Sequence, residues 1–293
     1  MNTAAPREER TPVGILLMAL AVVFFTCIDT TAKWLILAGL PALQVVFARY
    51  LGHFIFALVF FTARQGTAAF RTQSPGQQAL RSVFLMTSTI CNFIALQYLP
   101  ITVTTTIMFA GPIVITLLAI PLLGEQVGIR RILAVCVGFI GVIVVMRPWG
   151  TGFHPAMLLN VVALTLASLY FIMTRRMAGK ESNSSQQLWA SGLATLVLLP
   201  VVLPLWTWPE GSVWIGFCII GPFGAFAHIS ATTAHRLADA SILAPVIYIQ
   251  IFLAALAGVL VFNTWPTIWT LAGGLIIVAS GLYIWHRERV KTV

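Results

Sequence analysis

Asp29 and Lys33 stand four residues apart in the stretch FFTCIDTTAKWLILAGLP (24–41), and Arg49 and His53 stand four apart in the next apolar run. Residues at this spacing share a helix face, so each pair presents two polar groups in one direction. Inside oily segments, a carboxylate, an ammonium, a guanidinium and an imidazole can meet a charged or zwitterionic solute, carry a proton, or pair with one another. A charge buried in hydrocarbon without a partner costs about 2.5–3.5 kcal/mol even on lenient insertion scales. Each is therefore expected to face a partner or a wet cavity. His228, beside Ser230, Thr232 and Thr233, adds a second intramembrane imidazole, and Asn92, Asn160 and Gln250 add amides. These groups either contact a solute or tie helices together.

The other candidates are apolar. Pro112 and Pro245 each remove a helix-interior hydrogen bond, which predicts kinks and a freed carbonyl near mid-membrane. Beside them lie Met108, Phe109, Tyr248 and Phe252, the material of an adaptable apolar pocket or of ordinary bundle packing. Thr102, Thr104, Thr105 and Thr106 either line a pore or bond their own backbone.

The solvent of these residues follows from composition. The 293 residues are 59% hydrophobic and 9% charged, and mean hydropathy is +0.95. Roughly 25% charge is usual for a water-facing surface, so this is an integral membrane chain. No cleavable signal peptide is expected, because the first apolar run is too long for one and is followed by others. The four cysteines, Cys27, Cys91, Cys136 and Cys218, lie in oily runs without CxxC spacing and read as small buried hydrophobes.

Turn and charge signals predict ten spans, near 13–37, 41–63, 76–98, 101–123, 129–147, 155–177, 184–206, 211–235, 240–262 and 266–286. Tails at 1–12 and 287–293 flank them. The links AGLPA, YLPIT and NTWPT are short, so neighbouring spans run antiparallel. With the N-terminus inside, 14 of the 17 Lys and Arg residues fall on the cytoplasmic side, which places both termini there. The net charge of +9 thus reflects topology rather than nucleic-acid binding. Trp34, Trp149, Trp206, Trp208, Trp214, Trp265 and Trp269 gather near the outer ends as an interfacial belt.

Depth sharpens the first question. At ~1.5 Å per residue, Asp29 and Arg49 both lie ~12 Å below the outer face on adjacent spans, and Lys33 only ~6 Å below it. Asp29 therefore has two possible partners, Lys33 on its own helix and Arg49 across the interface, and Lys33 is able to snorkel outward. An Asp29–Arg49 pair at a cavity wall is the expected arrangement.

Residues 99–145 and 237–285 share a plan: a polar start, a long span with an internal proline, a turn, then a Gly-containing span. Gly124-Glu125 lies opposite Phe262-Asn263. An odd number of spans per half inverts the second half, as in many secondary transporters. The segments PLLGEQVGIRRILAVCVGFIGVIVVMRP and LAPVIYIQIFLAALAGVLVFNTWPTIWTLAGGLIIVASGLYIWHRER resemble the repeat ends of the drug/metabolite transporter superfamily, the second being EamA-type. Asn263 stands where that family usually carries an acidic residue. The chain looks most like bacterial exporters of aromatic amino acids and methionine.

That resemblance implies an all-α integral membrane fold: ten transmembrane helices as two inverted five-helix repeats (13–147 and 155–286) around a central cavity. It implies alternating-access export of apolar amino acids across the bacterial inner membrane, with multidrug-type export as the alternative. It implies no cofactor and no nucleotide-binding domain. The expected partners are the amino-acid solute and the lipid bilayer, with no nucleic acid; monomer and homodimer both stay open. GxxxxGK[ST], HExxH and GxSxG are absent from the sequence, which sets aside a self-contained ATPase and the common hydrolases. Ala134, Gly138 and Gly141 in span five, and Gly274 and Gly281 in span ten, mark close helix contacts, within the chain or at a dimer seam.

Overall fold

The computed structural model describes residues 11–123, 128–177, 180–238 and 240–291. The Gly124-Glu125 turn and most of the N-terminal tail lie outside these residues. The helices are α1 (Thr11–Leu37), α2 (Ala42–Gln65), α3 (Pro75–Tyr98), α4 (Ile101–Met108), α5 (Gly111–Leu123) and α6 (Ile129–Met146) in the first half. The second half holds α7 (Ala156–Arg176), α8 (Asn183–Val202), α9 (Val213–Leu237), α10 (Ala240–Ile247), α11 (Ile249–Phe262) and α12 (Ile268–Lys291). Among the described residues there is no strand. Among the described residues, nine helical stretches are long and apolar enough to cross a membrane, with α4 and α5 counted as one, and α6 adds a shorter apolar run, Ile132–Met146. This is the all-α membrane architecture that the sequence implies.

Packing carries the internal symmetry. The most extensive helix contacts are α1 on α9, α6 on α12 and α3 on α7. A shift of five spans turns α1·α9 into α7·α3, and α2·α9 into α8·α3. The same shift turns the contacts of α1 with α10 and α11 into those of α7 with α4 and α5. The α2·α8 and α6·α12 contacts map onto themselves. Five is odd, so the halves are related by inversion across the membrane plane.

The small residues serve this packing inside the chain. A Cβ on Gly141 would lie 2.8 Å from Ile277 Cγ1 and 2.9 Å from the Gly273 carbonyl, and one on Gly138 would lie 2.8 Å from Ser280 Oγ. Ser280 Oγ also donates to the Ala134 carbonyl at 2.6 Å. Gly274 sits against Thr106, and Gly281 against the Tyr248 hydroxyl. Asn263 closes α11 in the left-handed region, φ 51°, a conformation asparagine tolerates better than most residues.

Spans four and nine are broken rather than bent. Span four stops at Met108 and restarts at Gly111; span nine stops at Ile247 and restarts at Ile249. The proline roles differ from a simple kink. Pro112 occupies the first turn of α5, where its missing N–H costs nothing, whereas Pro245 lies inside α10, one turn before the break. Met108 is half-buried, Phe109 and Tyr248 are buried at the two breaks, and their rings meet at 5.5 Å between centroids. Thr104 and Thr106 bond their own helix, to Ile101 O at 2.9 Å and Thr102 O at 2.6 Å, which is the backbone role rather than the pore role.

Candidate functional site

Helix α3 organises the intramembrane polar groups. Asn92 donates to Asp29 Oδ1 on α1 at 3.3 Å, and accepts from Asn160 on α7 at 2.9 Å. Thr89, one turn earlier on α3, accepts from Arg49 Nη1 on α2 at 2.8 Å. Thr89 also meets the Tyr50 hydroxyl at 2.9 Å. Thr89 and Asn92 are three residues apart, so α3 holds the guanidinium and the carboxylate about 4.5 Å apart along its axis.

The expected Asp29–Arg49 ion pair is therefore not formed. The depth argument put the two charges level, but each is taken by a neutral side chain of α3 instead. Asp29 remains half-buried. Arg49 is 6% exposed and makes no ion pair among the described residues; its Nη2 faces His228 Nε2 on α9 at 3.4 Å, and its Nε has no acceptor there. The guanidinium also lies over the rings of Tyr50 at 4.9 Å and Phe93 at 6.0 Å. An arginine is always charged, so this is a buried cation whose hydrogen bonds go to neutral groups, with the Asp29 carboxylate close enough to interact electrostatically.

His53 and His228 extend the cluster. Their rings stack with centroids 5.6 Å apart and planes 20° apart, and Phe25 meets His228 edge-on at 5.2 Å. His53 is 3% exposed, and its Nε2 is buried without a partner. Tight backbone contact brings α2 and α9 this close: a Cβ on Gly52 would lie 2.9 Å from Gly221 Cα.

Lys33 does not snorkel. It is buried, and its ammonium donates to the carbonyls of Leu96 at 3.1 Å and Leu99 at 2.5 Å, at the C-terminal end of α3. Those carbonyls lack intrahelical donors and sit at the negative end of the helix dipole, so they outcompete headgroups for the charge. Lys33 joins α1 to α3 and stands apart from the Asp29–Arg49 cluster. Phe252 is also reassigned. It is 76% exposed and shares a stripe with exposed Ile249, Leu256 and Leu260, the face that α11 turns to lipid. Gln250 and Pro245 are half-buried, and Pro112 is exposed; none of the three takes part in the α3 network. Sequence reasoning missed Thr89 and Tyr50. The spacing of Thr89 and Asn92, one turn apart in an apolar run, was the available signal.

At the ends of the spans, two clamps join the halves. Gln44, near the start of α2, exchanges bonds with the Thr207 backbone: Nε2 to O at 2.6 Å and N to Oε1 at 2.9 Å. Glu181, just before α8, accepts from Thr72 Oγ1 at 2.7 Å, Gln73 N at 2.8 Å and Ser74 N at 3.0 Å. Burial pushes the Glu181 carboxyl up, but these donors outweigh it and hold the group below its ordinary value. A cavity of about 500 Å³ between these loops, lined by Arg71, Thr72, Gln73, Lys180 and Glu181, contains none of the intramembrane candidates.

Inverted repeats, paired broken helices and a polar cluster between the halves define a secondary-transporter architecture. The chain belongs to the EamA-like transporter family, whose profile matches residues 12–147 and 154–285. It is 28% identical to an S-adenosylmethionine uptake transporter of Rickettsia prowazekii, over 94% of this chain and 93% of that one. It is 31% identical to a riboflavin transporter of Vibrio cholerae, over 95% of each. A crystal structure at 18% identity shares the fold, with a TM-score of 0.64 over 94% of this chain and 96% of the other.

Proposed function

We propose that this transporter carries small zwitterionic metabolites by alternating access: aromatic and other apolar amino acids, methionine included, or larger molecules built on an amino-acid head. The observation that supports this reading is the separation of Asp29 and Arg49. They lie near each other on the α3 face yet each bonds only a neutral partner, so both charges stay available to a solute. An ammonium fits the half-buried carboxylate, and a carboxylate fits the guanidinium. S-adenosylmethionine, the cargo named for the Rickettsia relative, carries this same head. Phe109 and Tyr248, at the two helix breaks, offer an aromatic surface for the apolar part. Localisation in a bacterial inner membrane, with both termini cytoplasmic, rests on the distribution of Lys and Arg. Export is the direction favoured by the sequence resemblance alone.

Counterflow tests the reading. Proteoliposomes loaded with unlabelled phenylalanine, at equal pH and without ATP, should accumulate labelled phenylalanine. Methionine, leucine and S-adenosylmethionine should compete, and phenylalaninamide and N-acetylphenylalanine, which each lack one charge, should compete weakly. The aromatic pair Phe109–Tyr248 also suits a flat ring system without an amino-acid head. Competition by riboflavin or a cationic dye alone would favour that second reading and sink the first.

A further inference from the structure

Arg49 can only donate, so His228 Nε2, 3.4 Å from Nη2, is an acceptor there and the His228 ring is neutral while the contact holds. A proton on that ring in the empty carrier would set a second positive charge against a buried guanidinium that has no carboxylate on it. The stacked His53 ring, with its unpartnered Nε2, is under the same restriction. Binding of a carboxylate changes this. An anionic oxygen is a stronger acceptor than a neutral imidazole, so it displaces His228 from Arg49. The freed Nε2 then faces a carboxylate rather than a guanidinium, and both changes favour the imidazolium.

We propose that His53 and His228 form a site for one proton, filled when a solute carboxylate occupies Arg49, so that solute and proton cross together. This rests on the carrier reading above and adds its coupling. The balance is simple: the carboxylate brings one negative charge, and one proton from the open aqueous side forms an N–H bond on the imidazole. No other bond is made or broken. The charged and titratable groups around the pair are Arg49 and Tyr50 from α2, Asp29 from α1 through its proximity to Arg49, and Arg81 from α3. From α8 comes the neutral Gln187; α10 has no titratable residue in its sequence, ASILAPVI. Lys33 is committed to the α3 carbonyls. With one proton per zwitterion, each turnover moves one positive charge in the direction of the solute, so an inward proton gradient favours uptake and opposes the export to which the sequence resemblance points.

The test uses purified full-length protein in liposomes holding pyranine, at equal pH on both sides. Labelled phenylalanine, methionine and S-adenosylmethionine are added outside in turn, and lumen acidification is read against label uptake. About one proton per solute is expected. The double variant His53→Asn with His228→Asn keeps an amide oxygen to accept from Arg49 but holds no ring able to take a proton, so its ratio should drop to near zero at whatever rate it runs. A ratio near one in that variant puts the proton elsewhere and overturns the inference. On the unaltered protein, binding enthalpy in phosphate and in Tris should report uptake of about one proton per solute, and zero overturns the inference without any variant. Solute uptake without acidification removes the coupling and leaves the carrier reading intact; if none of the three solutes enters, both are lost.

Discussion

Two glycines three residues apart on α9 separate packing from binding. At Gly221 an added Cβ would lie 2.6 Å from the Gly52 carbonyl carbon and 2.8 Å from His53 N, both rigid backbone. Carbon contacts are optimal at about 3.5–4.0 Å, so Gly221→Ala must push α9 from α2 by about 1 Å. Overpacking of this kind costs about 1–3 kcal/mol. The Arg49–His228 contact, already 3.4 Å, would not survive such a shift. At Gly224 the same methyl meets His53 Nδ1 at 3.7 Å, Arg49 Cγ at 3.8 Å and Arg49 Nε at 3.9 Å, all ordinary contacts. Gly224→Ala, in a helix interior with room for the methyl, should therefore leave the protein as stable as before or more so, by up to about 1 kcal/mol. It would, however, occupy the space from which a carboxylate reaches the unpartnered Nε. Loss of one charge-assisted bond is worth about 1.5–3 kcal/mol, or a roughly ten- to hundred-fold weaker solute affinity. Thermal melting in detergent and counterflow half-saturation, measured on both variants, check this. A Gly224→Ala protein with wild-type affinity would refute the placing of the solute carboxylate at Arg49, and a Gly221→Ala protein with wild-type melting would refute the contact argument.

Arg49→Lys keeps the charge but loses the fork, so counterflow should persist weakly while the preference for phenylalanine over phenylalaninamide shrinks; an unchanged preference would count against Arg49 as the carboxylate site. Lys33→Met leaves the Leu96 and Leu99 carbonyls without their donor and should destabilise by about 1–3 kcal/mol in a detergent melt, with the order of competing solutes unchanged. The lowered Glu181 titration has a definite sign: its contribution is complete above the ordinary carboxylate range and is lost as pH falls through the depressed value. Amide exchange at Gln73 and Ser74 should thus stay slow in mildly acidic buffer and rise at all pH values in Glu181→Gln. Phe252→Ala, on the lipid stripe, should leave counterflow affinity unchanged, whereas Phe109→Ala should weaken competition by aromatic solutes.

Hydrophobic run length was enough to read the spans, and the prolines marked spans four and nine, though as kinks where the structure has breaks. The pairing of charges was not readable in the same way. Residue counting gives depth along a helix, and it correctly put Asp29 and Arg49 near each other. It does not give rotation about the helix axis, and rotation decides whether a side chain meets its opposite charge or a third helix between them. Here α3 intervenes with Thr89 and Asn92. For Lys33 the competing acceptor was the end of α3, a backbone feature that becomes visible only once the spans are packed. The outward face of Phe252 was legible in principle, because residues 249, 252, 256 and 260 repeat at helical spacing, but a large aromatic next to a break reads equally well as pocket wall.

The two clamps bear on the transport cycle. Gln44 starts α2 and holds the loop after α8; Glu181 precedes α8 and holds the loop after α2. The five-span shift that relates the halves exchanges α2 with α8, so the clamps are counterparts, and span parity puts them on opposite faces of the membrane. Both are closed in this structure, and in the alternating-access cycle proposed above a rocking motion that opens one face would break one clamp while the other holds. Their chemistry is unequal. The Gln44 clamp is an amide exchanging neutral bonds, whereas the Glu181 clamp is a carboxylate with three donors, and hydrogen bonds to an ionised acceptor are about twice as strong as neutral ones. Opening at the Gln44 face is then the easier step from this state. Neutralising Glu181 should move the balance toward opening at its own face, which cysteine accessibility on the two loops can measure.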